Sequence, residues 1–391
     1  MNKRPGLMAT ALVAASTAVF ADDPLLLTVT QSNDPTDFFQ LESSGRKNIA
    51  AGDTDVALVW DETRKGETAS YLAARPLGGD SGFGAPVRLG GKDAFDPVIA
   101  RCGKRYFLAW IADAGVQATT YNGQGLSAVL PVVSGQVNEL SIGCAGDTAL
   151  LAWSRREGKG YAVEATRLQP GDNGRLNHAP PVAVAPSDKY RFQTNPGVAY
   201  AKGRIVVTWH DRSSGTNLLY ATSGQQLDKL DTQVQVNELI KKSYEWGSGS
   251  SAVRNTLAVG ENERLVAVWL DKRASRSGYK VYSAFSNDGG ATWGDNYNII
   301  DEWGMIVPQW TPAVASNGHD KLLAVWMDSR EDEKTIWMSE LNGMTWSSNV
   351  SLSGEAEEAH SPVITYSPNG TLHAAWIEKT PDGSLIRYYS E

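Results

Sequence analysis

Long apolar runs are missing from this 391-residue chain once its first twenty or so residues are passed. No later stretch approaches the roughly 18 consecutive apolar residues that a bilayer-spanning helix needs, so no membrane span is expected in the body of the chain. Histidine is scarce: His178, His210, His319, His360 and His373 are the five copies, and none stands at metal-ligand spacing. There is no His-Glu-x-x-His, no Gly-x-Ser-x-Gly and no phosphate-binding loop, and the chain is read as using neither metal nor cofactor. Positive charge is in deficit, with 36 Lys and Arg against 44 Asp and Glu and a net charge of −8. That balance argues against nucleic acid as a partner. Linkers rich in Pro, Ser or charge are lacking too, which favours one domain over several despite the length.

What the chain has instead is a repeat. Seven short apolar runs end in tryptophan, at Trp60, Trp110, Trp153, Trp209, Trp269, Trp326 and Trp376, with spacings of 50, 43, 56, 60, 57 and 50 residues. Strand-like units recurring at that period, with no helical periodicity between them, predict a β-propeller whose blades surround a central axis. Each repeat reads as four strands. A short first strand often follows proline (DPVIA, NPGVA, TPAVA, SPVIT), the second ends in the tryptophan, the third alternates apolar and polar residues, and a weaker fourth leads onward. The 38 glycines and 17 prolines concentrate at the turns between these runs. The fold class expected is therefore all-β: a seven-bladed propeller of four-stranded antiparallel blades. The seventh repeat has three strands, and the unassigned LLLTVTQ near the start is expected to complete that blade and close the ring.

Residues 1–21 read as an export signal. Lys3 and Arg4 form the charged end, an apolar stretch follows, and Val19-Phe20-Ala21 supplies the small-residue cleavage pattern. The domain is then 22–391, periplasmic or secreted, and monomeric. Cys102 and Cys144 occupy matching turns in successive repeats, eight and nine residues before their tryptophans, and in an oxidising compartment are expected to bridge.

The fifth repeat carries SNDGGATW, with Ser286, Asp288, Gly290, Thr292 and Trp293 at the positions of an Asp-box. This resembles the bacterial neuraminidase repeats of sialidases and their many non-sialidase relatives. A worn copy runs from Ser339 to Trp346 with Leu341 in place of the aspartate. The resemblance implies that the boxes sit on third-to-fourth-strand hairpins, on the face opposite a sialidase active site, and are structural. It also implies an arginine triad, of which the first member normally comes from an Arg-Ile-Pro-like motif. The mature chain has no such motif, and sialidases are similar to six-bladed rings.

Strands alternate direction, so the turns after each tryptophan share an upper face with the connections between blades. WHDR, WLDKR and WMDSR place Asp211 and Arg212, Asp271 and Arg273, and Asp328 and Arg330 there. Such pairs either bind carboxylates and sugar hydroxyls or cap and staple their own turns. The long connections add Tyr190, Tyr244, Trp246, Trp303 and Trp310, flat rings suited to stacking on sugars. Glu245 and Glu302, with Asp211 or Asp271, are the candidate carboxylates for glycoside hydrolysis, and His210 or His360 the candidate base for a lyase. The expected role is an exported recognition module for a glycan or an envelope or extracellular protein, acting through the upper face. The alternatives are a sialidase-like exo-glycosidase or polysaccharide lyase, and a cell-envelope scaffold.

Overall fold

The computed structural model describes residues 24–41, 47–79, 81–113, 115–171, 175–185, 192–240, 249–273, 278–354, 356 and 358–391. The expected export signal lies outside them. Seven small antiparallel sheets form a ring, each read from its innermost strand outwards. The innermost strands are Ile49–Ala51, Phe95–Cys102, Val137–Ala145, Gln193–Ala201, Ala252–Val259, Gln309–Ser316 and Ala359–Tyr366. Each touches its two neighbours around the axis, including that of blade 7 against that of blade 1. The tryptophan-bearing strand is second in every blade. Leu25–Ser32 is hydrogen-bonded antiparallel to Gly383–Ser390 and forms the outer strand of the seventh sheet.

The tryptophan period has a packing cause. Side chains on one face of a blade must meet those of the next, and each of the seven apolar clusters is built from two adjacent blades and contains one repeat tryptophan. Trp110 fills the contact between blades 1 and 2, Trp153 that between 2 and 3, and so on to Trp60 between 7 and 1. All seven are essentially fully buried. A ring of this kind has no single core; its stability is the sum of seven interfaces.

The Cys102–Cys144 disulfide is present and joins the innermost strands of blades 2 and 3 at their lower ends. The hairpin of Ser286 to Trp293 also lies on the lower face. Asp288 accepts from the Ser286 hydroxyl (2.9 Å), the Thr292 amide (2.9 Å) and the Thr292 hydroxyl (2.6 Å), and the Gly290 amide donates to Ser286 Oγ. Gly289 and Gly290 have φ of 70° and 85°. A Cβ on Gly290 would come within 2.8 Å of Val206, so this turn docks on blade 4 with no room for a side chain. In the worn copy, Trp346 Nε1 reaches Ser283 of blade 5.

Candidate functional site

On the upper face the sequence puts a carboxylate two residues after several of the tryptophans, and the structure shows what it does there. The indole N–H would be a buried donor without a partner, and the carboxylate accepts it: Trp326 Nε1 to Asp328 at 3.0 Å, Trp376 Nε1 to Glu378 at 2.8 Å, Trp60 Nε1 to Glu62 at 3.4 Å, Trp269 Nε1 to Asp271 at 3.5 Å. Glu164, from the neighbouring strand, serves Trp153 in the same way at 3.0 Å. An arginine then neutralises each carboxylate: Arg330 on Asp328, Arg387 on Glu378, Arg64 on Glu62, Arg273 on Asp271 and Arg155 on Glu164. The motif is a clamp of indole, carboxylate and guanidinium, repeated in five blades.

Two clamps are deeply buried. Asp271 and Asp328 are 0% exposed, Arg273 2% and Arg330 4% by side chain. Asp271 accepts from the Ser251 and Arg273 amides and from Arg273 Nε and Nη2, while Arg273 stacks 4.6 Å over the Tyr282 ring. Asp328 receives the Arg330 amide, Nε and Nη2, and Arg330 Nη1 goes on to Asp301 at 2.9 Å. A carboxylate with every lone pair engaged and no solvent contact is a poor general acid or base.

The remaining candidates are scattered. Asp211 accepts the Ser213 amide at 2.7 Å and caps its own turn. Glu302 is exposed, just before the 3-10 turn Trp303–Ile306. Lys280 fixes that turn by donating to the Gly304 and Val307 carbonyls, and burial pushes its ammonium down to about 8. Trp310 is 37% exposed, and Met305 and Ile306, in the connection that precedes its strand, are 40% and 66% exposed. Tyr190, Tyr244, Glu245, Trp246 and the Trp303 side chain lie outside the described residues.

A further network lines the upper ends of the innermost strands of blades 3 to 5. Glu139 accepts from Ser154 Oγ and from the Asn195 amide and side chain; Asn255 bridges the Asn195 carbonyl and Thr208; and the Asn255 amide donates to His210 Nε2 at 3.1 Å. Asp96, Glu139, Asn195, Arg254, Thr311 and Ser361 sit at equivalent bulges with φ between 48° and 59°. Recurrence in six blades marks the bulge as architecture and not as strain reserved for one site.

His210 is fully buried, and burial pushes its pKa down to about 3; His373, also fully buried, is held at about 4 by burial and by Arg75. His360 is lowered by burial as well. With its Nε2 accepting from an amide and no path to solvent, His210 is a structural acceptor. In the unfolded chain both imidazoles take a proton below about pH 6.5, whereas in the fold they stay neutral, so the unfolded state binds more protons and stability falls as pH drops through 6.5 towards 4. The slope is up to about 1.4 kcal/mol per pH unit for each histidine. Urea midpoints measured from pH 7 to pH 4.5 should decline, and His210→Gln should flatten the decline; an unchanged wild-type midpoint across that range contradicts the neutral burial of these rings.

One upper-face cavity is open to ligand. It lies between blades 4 and 5, measures about 480 Å³, and is lined chiefly by Arg212, Asn217, Ser250, Ser251, Lys272 and Tyr279, with no Asp or Glu among the described residues that line it. Neither Arg212 nor Lys272 makes a salt bridge among the described residues, and Lys272 Nζ rests 5.0 Å over the Tyr279 ring. The Gln309 amide bonds the Tyr279 carbonyl at 3.0 Å, which sets the start of the strand that bears Trp310 next to the cleft. Of these residues the sequence reading singled out Arg212 and Trp310. Lys272 stands inside WLDKR and was the available signal; Ser250, Ser251, Asn217 and Tyr279 carry none. No group of three or more potential metal ligands occurs among the described residues.

The fold is shared with glycan-active proteins. An ulvan lyase of polysaccharide lyase family PL25 superposes with a TM-score of 0.60 at 10% identity, over 91% of this chain and 95% of that one. Polysaccharide lyase Uly1 gives 0.57 at 8% identity over 88% and 89%. An α-L-arabinanase from Penicillium chrysogenum, complexed with arabinobiose, gives 0.52 at 11% identity over 95% and 98%. At these identities the likeness establishes the propeller fold and nothing finer. No family model and no curated protein sequence matches the chain.

Proposed function

We propose that this propeller is an exported recognition module for acidic glycans, which bind across the upper face from the cleft between blades 4 and 5 to Trp310. The observation that carries the reading is the division of labour among charged groups. Of the five carboxylates two residues past a repeat tryptophan, four are committed to clamps and Asp211 caps its own turn, while Arg212 and Lys272 make no salt bridge among the described residues and line a polar cleft on a chain of net charge −8. Two cations with surrounding hydroxyls and an amide suit a uronate or sulfated sugar, and the adjoining indole offers a stacking face. No helix among the described residues is long and apolar enough to cross a membrane.

A second reading, an enzyme that cleaves such glycans, is favoured by the lyases and the arabinanase that share the fold.

A glycan array carrying uronate-bearing, sulfated and neutral chains tests the proposal. Acidic chains should be retained over neutral ones, with retention falling as salt screens the cleft. Arg212→Ala and Lys272→Ala should each weaken binding about tenfold, or about 1.4 kcal/mol, and Trp310→Ala by roughly 1 kcal/mol or more. A preference for neutral chains, or unchanged affinity in the Arg212/Lys272 double variant, overturns it.

A further inference from the structure

Five Asn-Gly steps occur in the chain, at Asn122, Asn173, Asn317, Asn342 and Asn369. Such a step is open to self-attack, because glycine has no side chain to keep its amide nitrogen away from the preceding asparagine's side-chain carbon. Asn173 lies outside the described residues. The other four stand at turns on the lower face, opposite the cleft: Asn122 and Asn342 at the ends of the third strands of blades 2 and 6, Asn317 and Asn369 just past the first strands of blades 6 and 7.

Three of the four are fastened. Asn122 Oδ1 accepts the Gln124 amide at 3.0 Å and the Gly125 amide at 3.1 Å. Asn317 Oδ1 accepts the His319 amide at 2.9 Å and the Lys321 amide at 3.1 Å, while its Nδ2 donates to Asp320 at 3.0 Å. Asn369 Oδ1 accepts the Thr371 amide at 3.2 Å and the Ser367 hydroxyl. These are Asx-type turns, in which the side chain itself holds the backbone. A side-chain carbonyl fixed on amides further along the chain does not turn its carbon towards the nitrogen of the next residue.

Asn342 is exposed, and its side chain makes no hydrogen bond among the described residues. It pairs with Thr345 across a turn of Gly343 and Met344, and the returning strand is only Thr345–Trp346. Gly343 has φ of 67°, no atom beyond its chain neighbours lies within 4 Å of where its Cβ would be, and Met344 is 44% exposed. So short a hairpin end opens locally at little cost, and water reaches it freely.

We infer that Asn342 is a site of spontaneous covalent modification by deamidation, set apart from the other Asn-Gly turns by the fold. The Gly343 nitrogen attacks the Asn342 side-chain carbon. A C–N bond forms to close a succinimide as the bond to Nδ2 breaks, and Nδ2 leaves as ammonia, taking the amide proton. One water molecule then opens the ring at either carbonyl, leaving aspartate or isoaspartate at 342. Either product adds a negative charge. Isoaspartate also lengthens the main chain by one carbon in a turn whose Gly343 carbonyl accepts Arg264 Nη1 at 2.8 Å, while Arg264 Nε donates to Asn287 of the intact Asp-box at 3.2 Å. The mark therefore falls on the contact between blades 5 and 6.

Storage of the purified full chain in mildly alkaline buffer for several weeks, followed by proteolysis and fragment mass spectrometry, tests the inference. A one-dalton gain should accumulate at Asn342 about tenfold faster than at Asn122, Asn317 or Asn369, and an isoaspartyl methyltransferase should label the same peptide. In urea, where none of the turns is formed, the four rates should converge. Asn342→Gln should remove the fast component, since glutamine closes its larger ring far more slowly, with no change in the circular dichroism spectrum. Conversion at Asn342 no faster than at any one of the other three overturns the inference. So does an unchanged ranking in urea, which would assign the rates to neighbouring sequence and not to the fold.

Discussion

Replacing Arg330 with alanine should destabilise the propeller by about 3–5 kcal/mol, although the residue lies at the edge of a face expected to bind ligand. Asp328 has no solvent exposure, and Arg330 supplies its amide, Nε and Nη2 to it. Truncation leaves that carboxylate buried with the Trp326 indole and the backbone amide of residue 330 as donors but no counter-charge from Arg330, and removes the link from Arg330 Nη1 to Asp301 and Asn349. Removing both charges is a different matter, because an unpaired buried ion costs more than an absent pair. The Arg330→Met, Asp328→Asn double variant should therefore recover part of the loss. By contrast Lys379→Ala, which breaks an exposed pair with Glu358, should cost no more than about 1 kcal/mol. Urea unfolding of the three variants checks the series, and an Arg330→Ala loss below about 1 kcal/mol would remove the clamp as a structural device.

Loss of the disulfide should be of similar size. Cys102 and Cys144 are separated by 42 residues, and the chain-entropy model assigns a closed loop of that length about 4 kcal/mol. The bridge ties neighbouring innermost strands, whose contact is otherwise the apolar cluster around Trp153. The Cys102→Ala, Cys144→Ser variant should unfold at markedly lower urea than the oxidised protein, and reduction of the wild type should reproduce the shift. Identical midpoints for oxidised and reduced protein would show that the Trp153 interface alone holds the two blades.

The blade count was legible because one physical demand recurs. Each interface between blades needs a large apolar side chain at the same depth, so tryptophan returns on the second strand of every blade. Cys102 and Cys144 were legible for the same reason, since equivalent positions in adjacent repeats are neighbours in space. The clamp was half legible. The sequence shows carboxylates two residues past Trp60, Trp269, Trp326 and Trp376, but the indole acceptor role needs the strand's depth in the ring. The arginine comes from the same turn for Asp271, whereas for Glu378 it is Arg387, the cross-strand partner of Trp376. Hence WLDKR and WMDSR read equally well as ligand contacts or as staples, and burial alone separates Arg273 and Arg330 from Arg212. The cleft was least legible: Asn217, Ser250 and Tyr279 are ordinary residues, and blade packing brings them together from positions more than sixty apart.

The central claim is recognition without turnover, and prolonged incubation with captured ligand addresses it most directly. The acidic glycan retained best on the array is incubated with the protein at micromolar concentration for a day at pH 7, then examined by size-exclusion chromatography and by absorbance of the unsaturated uronate that a lyase leaves. With Asp271 and Asp328 locked in clamps and His210 buried and neutral, the glycan should return at its original length with no new absorbance. Shortened chains or an unsaturated product, absent from a control with the Arg212/Lys272 double variant, would show that this face carries out chemistry and contradict the account.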